Sequence, residues 1–265
     1  MSLLTQKFEQ LDGKKALVPF ITAGHPKPEL TVPAMHALVA NGADVIELGV
    51  PFSDPMADGE VIQLSSESAI AQGVGLDGVL AMVSEFRQTD ASTPVILMGY
   101  LNPIECFGYP EFVAKANACG VNGVLLVDSP PEESELLLGL LAEKDMHQIF
   151  LVAPTTTDKR IQYIMQSATG FIYYVALKGV TGSADLDSDA VNKDVLKLKS
   201  AGKLPVAVGF GVKDADSAVS VAKEADAVVI GSALVKLLGA CENEASVTAT
   251  IETFLKPIRN ALNSL

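Results

Sequence analysis

Three acids punctuate the stretch Glu47-Leu48-Gly49-Val50-Pro51-Phe52-Ser53-Asp54-Pro55-Met56-Ala57-Asp58-Gly59, and their settings differ enough to suggest different tasks. Glu47 follows Val45 and Ile46 at the carboxyl end of a short β-type run, so its carboxyl is expected among apolar side chains. Desolvation there favours the neutral acid and lifts the pKa toward the range useful for proton transfer. Asp58 falls in a proline-rich loop beside Gly59 and a possible helix start, where a carboxyl stays ionised more readily. Two carboxyls held apart in pKa make an acid/base set. Asp54, Glu60 and Glu67, taken alone, read as solvated rim charges.

A second constellation is rich in glycine: Lys178-Gly179-Val180-Thr181-Gly182, Gly209-Phe210-Gly211 and Gly231-Ser232-Ala233. Without a Cβ, backbone N–H groups can approach an anion closely, and a helix opening just after such a loop aims its positive end there. Gly231-Ser232, ahead of the periodic segment 233–238, offers amides, a hydroxyl and a helix start together. The arginines, Arg87, Arg160 and Arg259, all stand outside these loops, so a phosphate would be held by backbone dipoles. Ordinary glycine turns are the plain alternative. His25, His36 and His147 are dispersed, which argues against histidine chemistry. Lys178 could form an imine with a carbonyl substrate, but its Gly-flanked loop lacks the buried setting that lowers a lysine pKa. Cys106, Cys119 and Cys241 lack metal-type spacing and read as reduced thiols, with no structural zinc.

These groups need a scaffold, and the chain supplies short apolar runs at 16–21, 44–48, 94–98, 123–127, 148–152, 171–175, 205–208 and 227–230. Segments of helical period separate them, among them 30–39, 131–144, 158–167 and 214–223. The runs are apolar almost throughout, as strands buried on both faces are. Eight strand and helix pairs in 265 residues predict an α/β fold, a closed (β/α)8 TIM barrel forming a single domain over 1–265, with an extra amphipathic helix from Leu3, Leu4, Phe8 and Leu11 at the start. An open doubly wound sheet is the alternative, but Gly209-Phe210-Gly211 lacks the third glycine of a dinucleotide fingerprint. In a barrel, chemistry sits at the carboxyl ends of strands, where both constellations fall. A formal charge of −13 argues against nucleic-acid or anionic-membrane surfaces. With no signal-peptide pattern and no membrane-length apolar run, a cytoplasmic protein is expected.

Set side by side, these segments resemble the α subunit of tryptophan synthase nearly end to end. The resemblance is carried by Phe20-Ile21-Thr22-Ala23-Gly24-His25-Pro26, the stretch from Glu47 to Gly59 with Ile62-Gln63, Met98-Gly99-Tyr100-Leu101-Asn102-Pro103, Asp128-Ser129-Pro130-Pro131-Glu132-Glu133, Tyr173 with Gly179-Val180-Thr181-Gly182, Gly209-Phe210-Gly211 and Gly231-Ser232-Ala233. It implies reversible cleavage of indole-3-glycerol phosphate to indole and glyceraldehyde 3-phosphate, an aldolase-type lyase step of tryptophan biosynthesis. Glu47 matches the catalytic acid/base, and Asp58 the aspartate that holds the indole N–H. Phe20, Met98, Val127, Tyr173, Phe210 and Ile230 would wall the indole slot, though each could equally be plain barrel core. Gly182, Gly211, Gly231 and Ser232 map to the phosphate, and Thr181 to a loop that orders on closure. The resemblance also implies an α2β2 heterotetramer in which the β subunit carries pyridoxal phosphate and this chain carries no cofactor. Pro51, Asp54 and Asn102 match positions facing that partner.

His25 stands where the family pattern has Asp, Glu60 where it has Pro, and Ala176-Leu177-Lys178 where it has a Ser-Arg type sequence. Glu60 is expected to loosen the Asp58 loop and to add a like charge beside it. Two other functions compete: a barrel that has lost catalysis and serves as an allosteric partner, and a sugar-phosphate aldolase or isomerase using Lys178.

Overall fold

Val, Ile, Leu and Ala dominate the strands because both faces of each are covered, and aliphatic side chains fit a pleated surface packed from either side. The computed structural model describes residues 1–176, 188–209 and 211–265. Among them run β1 (Ala16–Thr22), β2 (Ile46–Gly49), β3 (Val95–Gly99), β4 (Gly123–Leu126), β5 (His147–Val152), β6 (Ile172–Val175), β7 (Val206–Gly209) and β8 (Ala227–Ile230). All neighbours pair in parallel and in sequence order, and β8 returns to β1 with Ala16 opposite Ala227. The barrel is closed, which excludes the open sheet.

Helices surround it: α1 (Leu3–Leu11), α2 (Thr31–Ala40), α3 (Glu60–Ala71), α4 (Leu76–Phe86), α5 (Leu101–Phe107), α6 (Tyr109–Cys119), α7 (Glu135–Ala142), α8 (Asp158–Ser167), α9 (Ser188–Ala201), α10 (Ala215–Ala222), α11 (Ser232–Leu238) and α12 (Glu244–Leu262). No single described helix is long and apolar enough to cross a membrane. The segment expected as helix from 131 begins as a 3-10 turn, Pro131–Glu133, and becomes α-helical only at Glu135. The hydroxyl of buried Ser134 donates to the Pro130 carbonyl at 2.8 Å and fixes that entry. Pro33 sits in the first turn of α2, where its missing N–H has no intrahelical acceptor to lose.

Strand alternation divides the core in two. One parity turns Leu17, Ile46, Leu97, Leu126, Ile172, Val208 and Val228 outward to the helices. The other turns Val18, Val45, Ile96, Leu125, Ile149, Phe171, Ala207 and Val229 into the barrel. α1 closes the amino-terminal end of that interior: Leu4 is wholly buried with the inner set, Phe8 and Leu11 pack on it, and the Phe8 and Phe171 rings lie 5.8 Å apart. Beyond the inner set, the same parity carries Phe20, Glu47, Met98, Val127, Leu151, Tyr173 and Gly209 toward the mouth.

Candidate active site

Glu47 lies within β2, not at its end as the sequence suggested, because the strand begins only at Ile46 and continues through Leu48 and Gly49. Asp44, two residues before the strand, is occupied elsewhere: one carboxylate oxygen accepts from the Leu17 N–H and from Arg259, both at 2.9 Å. Glu47 stands opposite Phe20 on β1 and Ile96 on β3, and two residues beyond inward-facing Val45. It is 1% exposed, and neither carboxyl oxygen has a hydrogen-bond partner among the described residues. Burial, with the charge of Asp58 second, pushes its pKa up to about 8. At neutral pH this group is a carboxylic acid.

Asp58 is half-buried in the loop between β2 and α3. Its pKa is raised by burial, against a hydrogen bond from Tyr100 that favours the ionised form. Asp58 therefore titrates before Glu47, and its charge then holds the proton on Glu47. Tyr173 completes the group from β6: burial first, then the charges of Glu47 and Asp58, keep its phenol neutral. Gly209, two residues further along neighbouring β7 than its register partner Ala207, gives it room, since a Cβ there would collide with the Tyr173 hydroxyl.

The Asp58 loop is tied down on both sides. Ala57 N–H donates to the Tyr100 hydroxyl at 3.1 Å, Asp58 N–H to the Pro55 carbonyl at 3.1 Å, and Gln63 Nε2 to the Asp58 carbonyl at 2.7 Å. Glu60 opens α3, where its charge suits the helix N-terminus, and it is not among the charges acting on Asp58. The like-charge effect expected of Glu60 is thus not found. Beside Asp58, a narrow pocket of about 10 Å³, room for little more than a water, is lined by Phe20, Gly49, Phe52, Ile62, Met98 and Tyr100, among others.

A family model described as tryptophan synthase alpha chain matches residues 7–263. The chain belongs to that family. Among its relatives, the alpha chain of Cupriavidus taiwanensis is 56% identical over 266 residues, covering all of both chains. That of Nitrosococcus oceani is 54% identical, covering all of this chain and 98% of the relative. Of solved structures, the alpha subunit from Legionella pneumophila superposes with a TM-score of 0.91 at 42% identity over the whole of both chains. The tryptophan synthase complex from Pyrococcus furiosus matches at 0.82 and 36% identity, covering 93% of this chain and 98% of that one. Membership makes the chain an enzyme that catalyses the alpha reaction of tryptophan biosynthesis.

The expected slot residues Phe20, Met98, Val127 and Tyr173 share the inner face with Glu47. Ile230 does not: it is wholly buried on the helix-facing side, and Val229 is the β8 side chain turned inward. Gly211, with φ +67°, and Gly231 and Ser232, at the start of α11, stand at the carboxyl ends of β7 and β8. Asp54 and Asn102 are exposed, whereas Pro51 is buried within this chain. Leu177, Lys178, Thr181, Gly182 and Phe210 lie outside the described residues. His25 packs beside Gly239 after α11, with Nε2 3.2 Å from where a Cβ there would lie. Sequence reasoning passed over Leu151, which strand parity with Ile149 could have given, and the role of Tyr100, whose contacts come from a loop 43 residues away. No group of His, Cys, Asp and Glu suited to a metal occurs among the described residues.

Proposed function

We propose that Glu47 moves the protons of the alpha reaction and that Asp58 holds the charge that develops on the indole. The observation that carries this reading is a buried, neutral carboxylic acid with no partner among the described residues, and a second carboxyl beside it that ionises first. In cleavage, protonated Glu47 gives its proton to indole C3. The ring becomes an indoleninium, and ionised Asp58 accepts its N–H and stabilises the positive charge. Glu47, now a carboxylate, takes the proton of the adjoining chain hydroxyl. The carbon–carbon bond then breaks, its electron pair returns to the ring as indole, and the hydroxyl carbon leaves as the aldehyde of glyceraldehyde 3-phosphate. Glu47 ends protonated, so the cycle closes without a cofactor.

Phe20, Met98, Val127 and Tyr173 would wall the indole, and Gly211, Gly231 and Ser232, with Gly182, would receive the phosphate through backbone N–H groups. Thr181 and Phe210 are assigned here by resemblance alone. The chain would work as one domain, in the cytoplasm, with a β subunit that holds pyridoxal phosphate. Exposed Asp54 and Asn102 suit that partner's side, and buried Pro51 would act by setting the course of the loop. Retention of Glu47 and Asp58 in this geometry speaks against a barrel kept only for allostery.

The test is turnover of indole-3-glycerol phosphate by Glu47→Gln. Loss of about a hundred- to ten-thousand-fold in kcat with substrate affinity kept is expected, the range for removing a placed acid/base group. Unchanged turnover overturns the mechanism, and an imine trapped by borohydride would point to Lys178 instead.

A further inference from the structure

One side chain joins the two ends of the loop that carries Asp58. Tyr100, at the corner between β3 and α5, is 4% exposed, and its ring stacks on Phe52 with centroids 5.2 Å apart. Its hydroxyl oxygen accepts the Ala57 N–H at 3.1 Å, and it lines the same pocket as Asp58, whose ionised form it favours. The corner is itself anchored from the neighbouring strand: Asp128, two residues past β4, accepts the Leu101 N–H at 2.7 Å, at the first residue of α5. A phenol is suited to this place, because its oxygen can accept from backbone while its O–H favours a nearby carboxylate.

We propose that Tyr100 is a positioning residue for the alpha reaction: its hydroxyl holds the loop next to Asp58 through the Ala57 N–H and so places that carboxylate against the indole N–H, its ring pins the start of the same loop through Phe52, and Asp128 holds the Tyr100 corner. The proposal deepens the assignment of Asp58 and rests on it. Asp58 is carried on a loop, and loops hold a group less firmly than a strand does; Glu47, on β2, needs no such clamp. An error of about 1 Å in placing a charge-stabilising group can cost a hundredfold in rate, so a clamp on this loop acts on kcat. The titratable groups facing Asp58 are Tyr100, Glu47 from β2 and Tyr173 from β6. The last two are untouched by a substitution at Tyr100.

The test compares the full chain with Tyr100→Phe, Asp58→Asn and the double variant, assayed with indole-3-glycerol phosphate across pH. Tyr100→Phe keeps the ring and loses the hydroxyl. It should melt with the parent, lose about tenfold in kcat, the upper scale for losing one hydrogen bond, and move the acidic limb of kcat/KM to higher pH, because the hydroxyl favours the ionised Asp58. In the Asp58→Asn background it should change nothing further. Asp128→Ala, which leaves Tyr100 chemically intact, should lower kcat by a smaller factor and shift the limb the same way. Parent kcat and an unshifted limb in Tyr100→Phe, while Asp58→Asn collapses, overturn the clamp and leave the Asp58 assignment standing. An equal loss in both backgrounds also overturns it, since Tyr100 would then act independently of Asp58. Parent turnover in Asp58→Asn overturns the assignment itself.

Discussion

At the floor of the barrel α1 lays Leu4 among the inward side chains, and Asp44, Arg87, Asp226 and Arg259 along that rim each have a partner, although the Arg259 Nε has none among the described residues. Asp44 meets Arg259 at 2.9 Å, Arg87 reaches the Gly120 and Thr93 carbonyls and the Asn122 side chain, and Asp226 meets Lys199 at 2.7 Å while accepting the Val206 N–H. At the mouth, the same strands bury Glu47 with no partner for either oxygen among the described residues, and they keep glycines at 49 and 209, where an added Cβ would collide with the Phe20 and Tyr173 rings. The floor follows the rule that buried charge is paired, and the mouth breaks it. A protein shows this contrast when one end of its barrel is shaped by stability and the other by a reaction.

If the orphan carboxyl at the mouth is a cost borne for chemistry, removing its charge should stabilise the fold. A carboxyl whose folded pKa is raised holds its proton longer in the folded than in the unfolded state. Stability therefore falls as pH rises from about 4.5, the ordinary value, to about 8, and levels off above. Glu47→Gln mimics the neutral acid and has no such slope. Denaturant titrations at pH 4 and pH 8.5 should show little difference from the parent at the lower pH. At the higher pH the variant should gain, with a ceiling of about 5 kcal/mol set by the pKa shift. A gain equal at both pH values would mean that the charge on Glu47 is not what strains the mouth.

Leu4→Ala is the matching cut at the floor. It removes a side chain buried completely in the inner core, and deletions of that kind cost about 2–5 kcal/mol. Because α1 lies at the end of the barrel away from Glu47, kcat and KM of the folded fraction should stay at parent values. A change in KM would show that the two ends are mechanically coupled and weaken the contrast drawn above.

The same contrast governed what could be read from the sequence. Apolar runs such as 16–21 and 227–230 gave the strands because local composition reports burial on both faces. The acid pair Glu47 and Asp58 was visible because acids at strand ends and in loops after apolar runs are conspicuous. Which way a side chain points was harder. Ile230 and Val229 are both apolar and adjacent, and only the register with β1 and β7 shows that Val229 turns inward. Tyr100 escaped for a different reason: its role depends on Phe52 and Ala57, residues far away in the chain. Glu60 was expected to disturb Asp58, but as the first residue of α3 it is turned to a helix end that suits its charge.

The finest distinction between mouth and elsewhere can be read from two glycines. In Gly209→Ala the added Cβ would lie 2.1 Å from the Tyr173 hydroxyl and 2.4 Å from the ring carbon bearing it, so the phenol must swing into the slot or β7 must shift. Such overpacking costs about 1–3 kcal/mol, and here it falls on a wall of the indole slot, so KM should rise as well. Gly139 lies on the exposed side of α7, with nothing within 4 Å of an added Cβ. Gly139→Ala should therefore stabilise the helix by roughly 0.5–1 kcal/mol and leave KM alone. The pair tests one substitution in two places, by thermal melting and steady-state kinetics. If Gly209→Ala were as harmless as Gly139→Ala, the Tyr173 phenol would have room to spare, and the mouth would be looser than its missing Cβ implies.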